Sequence, residues 1–149
     1  MTTKFANRRS PSGPTISEQL PYGNVQPVSA TTEFVSRTGV GSTAVAGEIP
    51  GTEYEVPVAG RLDTLQVRNN PVGADAALVT YQALKNGSPV GDPVIIANNA
   101  IGPVRVDLSG VSVFAGDLIS LSMTAAVFLG AAPWARVVLT YTPSTSVIA

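Results

Sequence analysis

The chain has 149 residues, enough for one domain with a substantial core and an extension but too few for two ordinary domains. Its nine basic and ten acidic residues give a net charge of −1, so no overall field attracts nucleic acid or an anionic membrane. Cysteine and histidine are absent, which excludes disulfides, thiolate metal sites and the usual Ser-His-Asp and Cys-His forms of catalysis. We therefore expect a non-enzymatic protein without cofactor or bound metal.

Two further features of the composition bear on localisation and assembly. No stretch approaches 18 uninterrupted apolar residues and no apolar run follows the basic N-terminus, so we expect a protein that is made in the cytoplasm and kept soluble. Charged residues make up 13% of the chain, where about 25% is typical. A surface so poor in charge indicates that part of it is covered in the working assembly.

Residues 1–35 are predicted to form an extended N-terminal arm, because Pro11, Pro14, Pro21 and Pro27 prevent a continuous helix in this range. One interpretation is a disordered tail. The other is a segment that orders on a partner through apolar anchors and two arginines. The candidate contact residues are Phe5, Arg8, Arg9, Ile16, Leu20 and Tyr22.

Residues 36–149 are predicted to form the folded domain. Two weaker strand candidates, 28–35 and 53–58, flank a glycine-rich link whose Gly39 and Gly41 lack the spacing and lysine of a phosphate loop. From Gly60 the signal is stronger, and residues 61–68 predict a strand with Leu65 and Val67 directed inward.

The segment 76–97 predicts two strands joined at Asn86-Gly87, a pair that favours a two-residue hairpin turn because both positions need positive φ. Pro89 and Pro93 each remove a backbone donor, which predicts an edge or a bulge in the returning strand. A closing strand at 135–141 should direct Val137, Leu139 and Tyr141 inward, opposite Arg136, Val138 and Thr140.

Residues 103–124 contain two alternating runs joined by a turn. In the first, Val104, Val106 and Leu108 oppose Arg105 and Asp107. In the second, Ile119, Leu121 and Met123 should face the core and Ser120, Ser122 and Thr124 the solvent. Asp117 in the turn carries a carboxylate that can accept bonds from nearby backbone amides.

These elements predict an all-β protein, an antiparallel jelly-roll β-sandwich of about eight strands with an N-terminal arm. An immunoglobulin-like sandwich is the alternative, since the number of strands does not separate the two.

Several chemical sites are possible on residue type alone. Glu53 and Glu55 would share one face of a strand with side chains about 7 Å apart, which is compatible with a glycosidase pair but more typical of an exposed acidic edge. The aspartates lack the DxDxDG spacing of a calcium loop. Asn86-Gly87-Ser88 is a glycosylation sequon that turn chemistry explains without a glycan. Arg8 and Arg9 are too few to predict nucleic acid as a partner.

Four segments of the block 60–141 form a recognisable pattern: GRLDTLQVR at 60–68, VTYQALKNGSPV at 79–90, VSVFAGDLISLSMT at 111–124 and ARVVLTY at 135–141. In these segments the block resembles jelly-roll modules of tailed-bacteriophage virion proteins, of the capsid decoration, cement or head-fibre type. It implies a homotrimer on the capsid surface of a virion, with the major capsid protein or another shell protein as partner. Neither nucleic acid, nor a membrane, nor a small-molecule ligand is expected.

The apolar segment 124–135 lies between two predicted strands, where a polar loop is the norm. It would form either a further core strand or an exposed oligomer interface built from Val127, Phe128, Leu129 and Trp134. The leading hypothesis is a trimeric decoration or cement protein that binds the outer capsid surface and stabilises the shell through its N-terminal arm and apolar interface. The alternative is a carbohydrate- or receptor-binding head of a phage fibre or tail protein, in which Tyr22, Tyr54, Tyr81 or Trp134 stacks on sugar.

Overall fold

The computed structural model describes residues 18–22, 32–35, 42–43, 52–69, 76–125 and 135–144, and all of their regular structure is β. None of these segments forms a helix that could span a membrane. In chain order the strands are β1 Glu18–Tyr22, β2 Thr32–Val35, β3 Ser42–Thr43, β4 Glu53–Glu55, β5 Gly60–Asn69, β6 Leu78–Lys85, β7 Ser88–Pro89, β8 Val94–Ala97, β9 Val104–Val113, β10 Leu118–Ala125 and β11 Ala135–Pro143.

The strands form two sheets in which every pairing is antiparallel. Sheet one has the order β9-β5-β11-β1. Sheet two has the order β3-β2-β10-β6-β7, with β4 also pairing with β10 and β8 also pairing with β6. The prediction of an all-β antiparallel protein is confirmed.

One core cluster draws its apolar side chains from both sheets. Sheet one contributes Leu62, Leu65, Val67, Leu108, Val113, Val137, Leu139 and Tyr141. Sheet two contributes Val79, Tyr81, Ala83, Val94, Ile96, Ile119, Leu121, Met123 and Ala125. Because successive side chains of a strand point to opposite faces, these residues follow the alternation of the sequence and the predicted inward positions of β5, β10 and β11 are confirmed. Burying each large side chain of this kind stabilises the fold by about 1.5–3 kcal/mol.

The alternation of inward and outward side chains in sheet one is interrupted by two shifts of strand register. The register between β9 and β5 shifts between Asp107 and Val111, and that between β11 and β5 shifts between Thr140 and Tyr141. In β9 the inward set consequently changes from Val106 and Leu108 to Val111 and Val113. A bulge adds residues to one strand that have no partner on the other. The inward positions of β9 therefore change from even-numbered to odd-numbered residues while the two strands remain paired.

The turn between β6 and β7 and the strand that follows it agree with the predicted chemistry. Asn86 and Gly87 have φ of 51° and 85°, which confirms the two-residue hairpin turn between β6 and β7. The returning strand is broken into β7 and β8, as Pro89 and Pro93 predicted. The side chain of Gln82 stabilises the segment between β7 and β8, because its amide donates to the carbonyl oxygens of Val90 at 2.9 Å and Gly91 at 3.2 Å.

The prediction that Ser120 and Ser122 face solvent is wrong. Their exposed fractions are 2% and 7%, although they alternate with the core residues of β10 as expected. The strand β10 has neighbours on both sides, with β6 on one and β2 and β4 on the other. A short side chain on an interior strand lies below the longer side chains of its neighbours, such as Leu84 opposite Ser120, and loses its contact with water.

The strands β1 and β2 both lie within residues 1–35, the range predicted as an extended arm. The backbone of β1 pairs with β11, and that of β2 pairs with β10 and β3. These two segments therefore belong to the sheets. The rest of the predicted arm lies outside the described residues.

Candidate binding surfaces

A cleft of about 540 Å³ lies on the outer face of sheet one. The half-buried side chains that line it come from β5 and β11, and its exposed side chains are three arginines from β5, β9 and β11. The lining residues are Thr64, Gln66, Arg68, Arg105, Arg136, Val138 and Thr140. We call this surface the arginine cleft.

The strand register brings the three arginines together. Arg136 lies directly opposite Arg68, and Arg105 lies opposite Gln66, which places it diagonally from Arg68. Cβ atoms of directly opposed residues are about 4.5–5.5 Å apart and those of diagonal neighbours about 7–8 Å or somewhat less. Two like charges directly opposite one another destabilise a sheet, so this arrangement costs folding free energy in the absence of an anion.

In the part of the chain that the structure describes, few carboxylates lie near the arginine cleft. Among the described residues, the one ion pair that the structure shows joins Arg61 Nε to Asp63 Oδ1 at 2.9 Å, and none of the three cleft arginines takes part in it. Asp107 lies two residues from Arg105 in a neighbouring depression that Asp63 also lines. The floor of the cleft is neutral, and the Thr64 hydroxyl donates to the Thr140 hydroxyl at 3.2 Å.

A second surface is apolar and lies at the β8 side of sheet two. Leu78 and Ile95 are each 50% exposed, and since Leu78 pairs with Ala97 and Thr80 with Ile95, they are diagonal neighbours on the outer face. We call this pair the β8 patch. Within the described part of the chain β8 pairs only with β6, so one of its edges has no strand partner there. Contiguous apolar side chains beside a strand edge are typical of a surface that another chain covers.

The carboxylates of Glu53 and Glu55 lie on the same face of β4, both exposed, with the half-buried Tyr54 between them. No group of three or more acidic side chains that could hold a metal ion occurs among the described residues.

The two turns at the Asn86 end are joined by side-chain hydrogen bonds. The Asn86 amide nitrogen donates to Asp117 Oδ1 at 3.0 Å, the Asn86 carbonyl oxygen accepts from the Leu118 amide at 2.9 Å, and the Phe114 amide donates to Asp117 Oδ2 at 2.8 Å. The hydrogen bond from Asn86, and then that from Phe114, lower the pKa of Asp117. Both polar atoms of the Asn86 side chain thus serve the turn, as the interpretation without a glycan expects.

The aromatic residues proposed to stack on sugar are placed differently from one another. Tyr81 is 2% exposed in the core and cannot stack on a sugar, so this part of the prediction is wrong. The same burial raises the pKa of its hydroxyl. Tyr54 is half-buried and packs edge-on against Tyr141 at a centroid distance of 6.4 Å. Tyr81 faces inward because it alternates in phase with Val79 and Ala83, a signal that the sequence already carried.

Most of the predicted contact residues lie outside the described part of the chain. Phe5, Arg8, Arg9 and Ile16 of the predicted arm do so, as do all four residues of the predicted oligomer interface, Val127, Phe128, Leu129 and Trp134. Leu20 and Tyr22 are in β1, where their backbone pairs with Leu139 and Val137. These assignments stay predictions.

The sequence did not point to the arginine cleft or to the β8 patch. Their residues come from separate strands, and only the order and register of the strands bring them together. No protein-family model matches the chain, and no curated protein matches it.

Proposed function

We propose that this chain is a non-enzymatic structural protein of a bacteriophage virion, a trimeric decoration or cement protein with a jelly-roll fold that binds the outer capsid surface. The order of the strands is the observation that carries the proposal. The sequence resemblance over 60–141 supports the same class.

The jelly-roll assignment rests on the eight described strands of four or more residues. Numbered one to eight along the chain, they are β1, β2, β5, β6, β8, β9, β10 and β11. Sheet one then reads 1-8-3-6 and sheet two 2-7-4-5. All but one of the connections between consecutive strands pass from one sheet to the other, as in a jelly roll built from two Greek keys. An immunoglobulin-like sandwich instead keeps several consecutive strands in one sheet.

The β8 patch supports the assembly role. An isoleucine and a leucine that are each half exposed retain apolar surface whose burial against a shell or a second copy would be favourable. Each bound trimer would stabilise the assembled shell by mass action, because it binds the shell and not the separated subunits.

The alternative, a carbohydrate- or receptor-binding head, is favoured by one observation. The arginine cleft is a concave polar surface of a size found in small-molecule sites, which are about 300–1,000 Å³. The positions of Tyr54 and Tyr81 do not favour an aromatic platform for neutral sugar.

The first test is whether the protein is a component of particles. Mass spectrometry of purified virions of the phage that encodes the chain should find it in multiple copies, and native mass spectrometry of the isolated protein should find a trimer at micromolar concentration. Its absence from the particles would refute the virion role, and a monomer would refute the trimer.

The second test addresses the surface. Ile95→Asp should weaken attachment to particles stripped of the protein by about tenfold, because a carboxylate would have to enter an apolar contact. Ser88→Asp is the matched control, since Ser88 is exposed on β7 outside the patch, and it should attach like the unmodified protein. Equal attachment of both variants would exclude the β8 patch from the contact.

A further inference from the structure

We propose that the arginine cleft binds an acidic saccharide, a sugar chain that carries sulfate or carboxylate groups. The proposal does not depend on the capsid role. It concerns the outer face of sheet one, whereas the β8 patch lies on sheet two.

The charge of the ligand follows from the arginines. Three guanidinium groups, from β5, β9 and β11, border one cleft, and the described residues provide no ion pair for any of them. Guanidinium groups bind sulfate and carboxylate oxygens through paired hydrogen bonds, and such charge-assisted bonds are about twice as strong as neutral ones. An anion held between Arg68 and Arg136 would also remove the repulsion of two like charges directly opposite each other.

The saccharide class follows from the rest of the lining. Thr64, Thr140 and Gln66 present hydroxyl and amide groups on the floor, which match the hydroxyl groups between the charged substituents of a sugar. The described residues that line the cleft include no aromatic side chain. Single-stranded nucleic acid and neutral sugars both depend on stacking against aromatic faces, so this surface suits them poorly.

The distribution of charge also limits how the ligand lies. The arginines Arg68 and Arg136 mark one end of the cleft, and at the other end Asp107 lies opposite Thr64 on the neighbouring strand β9. A sulfate or carboxylate is therefore expected at the Arg68–Arg136 end, with hydroxyl groups towards Thr64. A cleft of about 540 Å³ has room for a short oligosaccharide segment.

The experiment is a binding titration by calorimetry at low and moderate salt with a sulfated tetrasaccharide and with the same tetrasaccharide after desulfation. The sulfated probe should bind at least tenfold more tightly, and Arg136→Gln should weaken it by about tenfold. Arg61→Gln is the control, because Arg61 is an exposed arginine of β5 that pairs with Asp63 and does not line the cleft. Equal affinity for the two probes, or equal loss in both variants, would overturn the proposal.

Two further arms separate the saccharide from other anions. Thr140→Val keeps the branched shape of the side chain and removes its hydroxyl. It should therefore weaken binding of the sulfated tetrasaccharide and leave binding of inorganic tripolyphosphate unchanged. A single-stranded oligonucleotide of matched charge should bind more weakly than the tetrasaccharide. Tighter binding of tripolyphosphate or of the oligonucleotide would assign the cleft to phosphates and refute the saccharide. Thermal midpoints of all variants, measured in parallel, should equal that of the unmodified protein to within a few degrees.

Discussion

Replacing Asn69 by alanine should destabilise the protein through the connection between β8 and β9. Asn69 is 3% exposed at the end of β5, and its side-chain amide donates to the carbonyl oxygens of Ala97 at 3.2 Å and Ala100 at 2.9 Å. Its backbone amide donates to the carbonyl oxygen of Ile101 at 2.9 Å. One buried side chain therefore ties sheet one to the turn that follows β8.

The expected loss in the free energy of unfolding depends on the hydrogen bonds that each of the two carbonyl oxygens retains in the variant. The Ala97 oxygen still accepts from the Ala100 amide at 3.0 Å, so its loss is partial, whereas the Ala100 oxygen has no other donor among the described residues. A net hydrogen bond contributes about 0.5–1.5 kcal/mol, and a buried group left unpaired costs about 1–3 kcal/mol. We expect a total loss of about 2 kcal/mol, which lowers the thermal midpoint of a chain of this size by roughly 4–8 °C.

The assay is urea unfolding monitored by circular dichroism, with the m-value compared between variants. Asn99→Ala is the matched control, because Asn99 is exposed in the same turn and none of the described side-chain hydrogen bonds involves it. It should change stability by less than about 0.5 kcal/mol. If the two alanine variants were equally stable, the side chain of Asn69 would not hold this connection.

Two more outcomes follow from the structure. Gly60→Ala should destabilise the protein by about 1–3 kcal/mol in urea unfolding, because its Cβ would lie 2.3 Å from the Thr142 carbonyl oxygen, whereas Gly110→Ala has open space around it and should be nearly neutral. Asp117 has a lowered pKa, so its contribution to stability is full above its ordinary value of 3.8 and is lost as the pH falls below that value. Asp117→Asn should therefore lose less stability than the unmodified protein between pH 6 and pH 2.5, and parallel losses would contradict the role of the carboxylate.

The elements of the fold were largely predictable because one-face burial imposes a period of two on the sequence. Leu65 and Val67 on β5, and Val137 and Leu139 on β11, are inward as their alternation indicates. The Asn86-Gly87 turn was equally readable, since few residue pairs accept positive φ twice.

Properties that depend on neighbouring strands were not predictable. The alternation within β10 alone predicts that Ser120 faces solvent. Its burial comes from the strands on either side. The parity change in β9 depends on how the bulge is accommodated opposite β5. The arginine cleft is the clearest case: Arg68, Arg105 and Arg136 each appear as a single outward charge, and only the order β9-β5-β11 makes them neighbours.

The position of β11 in the interior of sheet one has a consequence for the synthesis of the protein. This strand pairs with β5 on one side and β1 on the other, and it is the last strand of the described chain. Until β11 has been made, β1 lacks the strand with which it pairs among the described residues, and Leu65 and Val67 lack the side chains of Leu139 and Val137. We therefore expect sheet one of the nascent chain to stay incomplete, and the chain to depend on protection from aggregation, until β11 closes this sheet.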